Sequence, residues 1–415
     1  MANGYKTQES LLNGYQNNMK KKVTIIGGGS SAHAIIPLLS KSGYEVNLMT
    51  SRPKLWKKKI ILEHQSEIGE VKEIFEGYLN IVSDDPAEVL ADVDFIIFCI
   101  PVSQYKIALK KIAPFIENKK KVYLGTIYGQ GGFNWMANEI KEKYSLSKMV
   151  IFAVGLIPWI CRIKQYGEIG ITYGPKVKNV VAVYPELEFD ILKDTFLKDI
   201  CFKWFHIGEF YHAKNFISLT LSVDNQIIHP SRMYGLYLKN PENWANSEDV
   251  PLFYNDFDDI SAEILKQVDI DYSKIRDEIK RCNPDIDFMY MLEYLSLERF
   301  SYDSCNENIK TSFTNSKTLK LIKTPVIKNK ENTWELDKEN RFFTDDIFYG
   351  LCIAKGYAEH MSIDVPMIDE ILEWAQKVLG ISLIKSGSLI KECTLNNIEV
   401  GTPEKYQISY SDSLM

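Results

Sequence analysis

The sequence predicts a doubly wound α/β domain with a parallel sheet, followed by a second, mostly α-helical domain. Three observations carry this. An apolar run at residues 23–26 meets a glycine cluster and then a segment with helical periodicity. Short apolar runs go on alternating with helical segments as far as Tyr184, the pattern of strands joined by crossover helices. From about residue 210 the texture changes to long helical patterns with few internal prolines or glycines. At 415 residues the chain is too long for one ordinary core, so two domains are expected.

The first strand, residues 23–26, leads into Gly27 and Gly29, with Ala32 third, and then into a helix whose apolar positions are Ala34, Ile35, Leu38 and Leu39. A second strand follows at 46–49. This is the G-x-G-x-x-A form of the dinucleotide fingerprint in its strand–turn–helix setting. Gly27 allows the tight turn, Gly29 lets the backbone approach a pyrophosphate, and Ala32 lets the helix pack closely on the strand. The helix start at Ser30 and Ser31 offers free N–H groups and a positive dipole end to phosphate.

Residues 79–82 read as a strand, and Asp84-Asp85-Pro86 opens a helix with carboxylates in its first turn. The run 95–100 is continuous and apolar, as a strand buried on both faces must be. It ends at Ile100 and Pro101, which would flank the cofactor, and a helix over 105–116 follows. Further strands are expected at 121–127, 149–154 and 180–184, the first running into Gly129-Gln130-Gly131-Gly132. In the second domain helices are expected over 216–229, 258–268, 275–281, 288–300, 346–360 and 366–379. The expected organisation is a disordered leader at 1–18, a Rossmann dinucleotide-binding domain at 19–210, an α-helical domain at 211–395 and a polar, irregular tail at 396–415.

A net charge of −6 argues against a general nucleic-acid binder, and the lysine clusters read as solvated element ends. Seven cysteines, odd in number and without C-x-x-C spacing, suit reduced cytoplasmic thiols better than a disulfide framework or a metal site. No apolar run reaches the roughly 18 residues of a membrane span, and the first residues lack the apolar core of a signal peptide.

An acidic side chain at the end of the second strand of such a domain binds the ribose hydroxyls of NAD. Here the position reads Met49-Thr50-Ser51-Arg52. Hydroxyls and an arginine suit a 2′-phosphate, so NADP is favoured over NAD. The alternative is a solvated Arg52 and an enzyme that accepts either.

Three other segments concentrate polar chemistry. Residues 156–163, LIPWICRI, lie just after a sheet strand, where Arg162 could clamp a carboxylate or form a surface ion pair. In Asn225-Gln226-Ile227-Ile228-His229-Pro230, Asn225 and His229 share one helix face. Pro230 should end or kink that helix and leave the imidazole near an open end. The third segment begins at Arg341 and carries Asp345-Asp346, which by themselves fit simple helix capping.

In this order and spacing the L-P-W-x-C-R-I, N-x-x-x-H-P and R-F-x-x-D-D stretches resemble those of the opine dehydrogenases, the octopine/nopaline dehydrogenase family. The resemblance runs from about residue 21 to about residue 380. Family members usually carry glutamate then aspartate, and a proline two residues on, where this chain has Asp345-Asp346 and Phe348. The local loop is therefore expected to differ.

The resemblance implies a Rossmann domain joined to a helical catalytic domain. It also implies NAD(P)H-dependent reductive condensation of an amino acid, or an amine derived from one as in opine-type metallophore synthesis, with a 2-oxo acid. It assigns acid–base chemistry to His229, with Asp346 fixing its tautomer and raising its pKa. Asn225 would orient substrate or the histidine, and Arg341 would bind cofactor pyrophosphate or a substrate carboxylate. Gln130, Cys161 and Arg162 would line the substrate side, with Cys161 equally readable as a packing residue. Tyr234 is a further candidate for the amino-acid arm. The helical domain should close over the edge of the sheet, with a cleft between 156–163 and 225–234. Ketopantoate reductases, glycerol-3-phosphate dehydrogenases and 3-hydroxyacid dehydrogenases share the plan but typically rely on a lysine in the helical domain. A non-catalytic NADP-binding sensor is the reading outside enzymes. Pairing into a homodimer stays open.

Overall fold

Strand β1 (Lys22–Ile26) lies inside the sheet between β2 (Glu45–Met49) and β5 (Phe95–Phe98), parallel to both. The computed structural model describes residues 20–414, so the expected leader lies outside the described residues. Strands β6 (Val122–Thr126) and β7 (Met149–Val154) extend the parallel set beyond β5. Their residues are buried throughout, which is why the apolar runs are continuous. β10 (Lys178–Tyr184) then joins β7 antiparallel, and β11 (Glu209–Ala213) closes that edge parallel to β10. Helices α1 (Ser30–Lys41), α2 (Tyr105–Ile112) and α3 (Phe133–Lys143) supply the crossovers. The helix expected over 105–116 is α-helical only to Ile112, with a 3₁₀ turn at Ala113–Phe115 around Pro114.

The other edge departs from expectation. β4 (Val71–Ser83) pairs with β2 only through its C-terminal part. Its remainder pairs antiparallel with β3 (Lys59–Gln65), followed by β9 (Ile169–Pro175) and β8 (Trp159–Gln165). Of these only 79–82 was expected as strand. The first nine residues of β4 alternate exposed and buried only from Ile74 onward, and β8 ends in three exposed residues. Strands exposed on one face, like the first part of β4, or at the sheet edge, like β8, have no continuous apolar run to betray them. The 156–163 segment is thus largely the start of a hairpin arm.

The helical part begins at Ile217 and is built on α4 (Asn225–Lys239), α5 (Asp259–Cys282), α6 (Cys352–His360) and α7 (Pro366–Leu379). Two expected helices, 258–268 and 275–281, are one. The polar stretch between them is stabilised internally: Arg276, fully buried, pairs with Asp269 at 2.7 Å. Asp271 accepts the N–H groups of Met367 and Ile368 at the start of α7, which no N-cap side chain serves. Pro230 sits inside α4 and does not end it, so His229 is not at an open helix end.

One apolar cluster runs from the sheet face (Phe98, Leu124, Ile151) into the helical part (Phe216, Ile227, Ile353). The two domains therefore share a core. The segment expected as a tail also packs: Val400 is buried, Lys106 pairs with Glu399 at 2.7 Å, and Trp135 Nε1 donates to the Ser413 carbonyl at 3.1 Å. Its anchors are isolated residues without periodicity, hence invisible to pattern reading. No helix among the described residues is long and apolar enough to cross a membrane.

Candidate active site

The two fingerprint glycines answer different demands. Gly27 has φ +105°, and a Cβ there would lie 2.2 Å from Ile100 Cγ2 and 2.7 Å from the Cys99 carbonyl oxygen. The chain crosses the end of β5 at that point, so glycine is required by the fold itself. Gly29 lies outside the left-handed region at φ −81°, and the nearest atom to an added Cβ is the Cys99 carbonyl oxygen at 3.8 Å. The protein alone does not require glycine there. Gly29, Ser30, Ser31, Ile100 and Pro101 line a cleft of about 750 Å³. α1 starts at this wall with no side-chain cap, leaving its first N–H groups for an anion. These features fit a dinucleotide pyrophosphate.

At the end of β2, Thr50 is buried while Ser51 and Arg52 are exposed. None of the three lines the cleft. The Arg52 guanidinium lies 4.5 Å over the Tyr166 ring and has no ion-pair partner among the described residues. Tyr166 belongs to the β8–β9 turn and packs edge-on against Trp56, whose ring lies tilted against His33 at 4.4 Å. His33 is fully buried and makes two backbone hydrogen bonds, Nδ1 to the Gly29 carbonyl and Nε2 to the Gly167 N–H, both 2.8 Å. These partners assign the neutral tautomer, and burial lowers the pKa of His33, with the Gly29 carbonyl opposing.

The second wall is built on α4. His229 is completely buried, its ring stacked on Phe342 at 3.7 Å and met edge-on by Phe253. Nδ1 lies 2.7 Å from Asp346 Oδ2 and Nε2 lies 3.1 Å from the Tyr254 hydroxyl. Burial, assisted by the nearby Arg341 charge, pushes His229 well below the ordinary imidazole value. Burial likewise raises Asp346, with Arg341 opposing. The expectation that the carboxylate raises the histidine is therefore reversed. In a water-poor site burial disfavours charge on either partner more than their mutual attraction favours it.

Tyr254 was not anticipated. It sits on an irregular loop with no periodic signal, and its position comes from Arg232, one turn beyond His229 on α4. Arg232 is fully buried and donates to the carbonyls of Leu252, Phe253 and Asp256, to Asp258 and to Ser261.

Arg341 presents its guanidinium to the open space of the cleft and has no ion-pair partner among the described residues. Burial on its other sides works against its charge, but Asp346 and the neighbouring tyrosines and Asp345 outweigh it. Asp345 reaches across to the other domain and accepts the N–H groups of Val102 and Ser103 at 3.0 and 3.2 Å. Asn225 lines the cleft, and among the described residues its side chain makes no hydrogen bond to His229, whose ring nitrogens face Asp346 and Tyr254. Beside it Asp224, not singled out from sequence, also lines the cleft, its pKa raised by burial.

On the opposite wall Cys161 and Arg162 line the cleft with Lys176, whose Nζ donates to the Ile157 carbonyl. Burial raises the Cys161 thiol to about 11, so it is protonated at neutral pH. Two expected residues are elsewhere. Gln130 is fully buried outside the cleft, donating to the Ser222 carbonyl at 2.8 Å and accepting from the Tyr128 hydroxyl at 2.9 Å. Tyr234 faces α7, its hydroxyl on Glu370 at 2.6 Å and its ring against Trp374. Five residues after His229 it is turned roughly 140° away around the helix.

Residues 212–379 match the family model described as the α-helical domain of NAD/NADP octopine/nopaline dehydrogenase, and residues 22–124 match a model of coenzyme F420-dependent NADP oxidoreductases. An opine dehydrogenase of Haliotis discus hannai is 24% identical, the alignment covering 96% of this chain and 99% of that protein. The solved structure of an octopine dehydrogenase with NADH and L-arginine is similar with a TM-score of 0.75 and 20% identity, over 93% of this chain and 96% of the other. A yersinopine dehydrogenase with NADP+ bound is similar with a TM-score of 0.63 and 12% identity, over 87% and 91%.

Proposed function

The chain belongs to the opine dehydrogenase family, and from that premise we propose that it condenses an amino acid with a 2-oxo acid through an imine that NAD(P)H reduces. The observation that carries the reading is the buried His229–Asp346 pair at 2.7 Å, set behind the wall where Asp346 and the unpaired Arg341 line the cleft that also holds Gly29, Ser30 and Ser31.

Arg341 holds the carboxylate of the 2-oxo acid, which brings the carbonyl carbon close to the histidine. His229, neutral before substrate arrives, takes the proton that an amine must lose to attack. Asp346 then stabilises the imidazolium. The same proton returns to the carbinolamine oxygen, which leaves as water as the C=N bond forms. The cofactor, when bound, supplies the hydride that reduces the imine carbon. Arg162 and Lys176 on the facing wall suit the carboxylate of the amino acid, and Asn225 orients the substrate. Gly29 and the uncapped start of α1 hold the pyrophosphate. Arg52, stacked on Tyr166 and otherwise unpaired, favours NADPH through its 2′-phosphate. The free thiols of all seven cysteines support a reducing, cytoplasmic setting.

A screen of NADPH oxidation with amino acids and 2-oxo acids, with mass spectrometry of the products, tests the reading. A secondary amine formed only when both substrates are present is expected. Oxidation with an oxo acid alone, giving a hydroxy acid, would place the chain with the ketopantoate-reductase type of chemistry. No oxidation with any pair would favour a cofactor sensor.

A further inference from the structure

In the mechanism above the proton passes between His229 and substrate, yet His229 does not reach the cleft. Its ring is 0% exposed, covered by Phe342 on one face and met by Phe253. Nδ1 is taken by Asp346. Nε2 faces the Tyr254 hydroxyl at 3.1 Å, and Tyr254 lines the cleft while His229 does not. The phenol therefore stands between the imidazole and any substrate. Five hydrogen bonds from the buried Arg232 hold the 252–258 loop and the start of α5 in place.

We propose that Tyr254 is a catalytic residue that relays protons between His229 Nε2 and the reacting amine and carbinolamine. The inference rests on the proposed condensation. In the first step the amine gives a proton to the Tyr254 oxygen while the phenolic proton moves to Nε2. The imidazolium that forms is balanced by Asp346. In the second step Nε2–H returns its proton to the Tyr254 oxygen. The phenolic proton passes to the carbinolamine oxygen, the C–O bond breaks, water leaves and the nitrogen lone pair completes the C=N bond. No tyrosinate accumulates. Burial raises the Tyr254 pKa, and of the charges that face it Asp224 raises it while Arg341 and Arg162 lower it, with Tyr302 a further raising neighbour. The hydroxyl thus keeps its proton at rest.

The test is single-turnover NADPH oxidation by wild type and Tyr254→Phe at saturating amino acid and oxo acid. Tyr254→Phe should slow the step about a hundredfold or more, with NADPH binding by fluorescence titration unchanged. Losing the donor to Nε2 should also move the acid limb of the pH–rate profile upward, which a packing role would not do. In wild type, rates in H₂O/D₂O mixtures should bow downward, as two protons moving together require. A Tyr254→Phe enzyme at or above wild-type rate, or a linear dependence on deuterium fraction, would overturn the relay, because substrate would then displace the phenol and meet Nε2 directly. Wild type that condenses no pair of substrates would overturn the condensation reading and the relay with it. An active wild type beside an equally active variant overturns the relay alone.

Discussion

The Gly167 N–H donates to His33 Nε2 across 134 residues of chain, while Nδ1 of the same ring is bonded to the Gly29 carbonyl. One neutral imidazole thus ties the glycine loop to the tip of the β8–β9 hairpin, next to the Tyr166 ring that carries Arg52. Burial keeps that imidazole neutral, and the geometry needs it so, because Nε2 must accept.

This makes stability depend on pH in a defined direction. The folded-state pKa of His33 is lowered, so below about 6.5 the unfolded chain takes up a proton that the folded chain refuses. Stability should fall as pH drops from there toward the folded value and be flat above. Against His33→Asn, wild type should lose up to about 1.4 kcal/mol per pH unit in that window, as measured by denaturant melts. His64 and His212, also lowered by burial, titrate in both proteins and cancel. Parallel curves for the two proteins below pH 6 would refute the bridge.

Alanine at the two fingerprint glycines should separate folding from binding. Gly27→Ala must displace Ile100 or the Cys99 carbonyl and adopt a left-handed backbone, so its melting temperature should fall sharply. Gly29→Ala meets nothing closer than 3.8 Å and should melt like wild type. The added methyl group would narrow the cleft wall at the uncapped start of α1, so cofactor affinity measured by calorimetry should fall at least about tenfold, as when a single charge-assisted hydrogen bond is lost.

Arg52→Ala should raise the Michaelis constant for NADPH about tenfold or more, the worth of a charge-assisted hydrogen bond, and change that for NADH little. Equal losses with both cofactors, or a wild-type preference for NADH, would end the assignment.

His229→Ala should lower turnover about a hundred- to ten-thousandfold with cofactor binding intact. Asp346→Asn should also be slow, since an amide cannot balance an imidazolium. The double variant should be little worse than His229→Ala, because groups that act as a unit do not add. Additive losses in single-turnover rates would show that the two residues work separately.

How much of this could be read from sequence depended on whether the signal was local. The Gly27–Ala32 fingerprint and the buried strands at β1, β5, β6 and β7 were legible because turn chemistry and continuous apolar runs lie within a few residues. His229 and Asp346 were paired through the resemblance, since 117 residues of chain separate them and no local rule spans that. Tyr254 left no signal, because its position is fixed by Arg232 rather than by periodicity. Gln130 and Tyr234 were placed by chain neighbourhood, and each instead turns to a structural partner, the Ser222 carbonyl or Glu370. The β8–β9 arm escaped because half-exposed edge strands look like polar loops.

Asp345 and Asp346 are chain neighbours with opposite loyalties. The first grips the backbone of the nucleotide-binding domain at Val102 and Ser103, and the second grips the histidine. Any tug that parts the domains is therefore felt one residue away from the acid that steadies the imidazole. On the proposed mechanism, docking of the two domains and setting of the histidine are coupled through a single peptide bond.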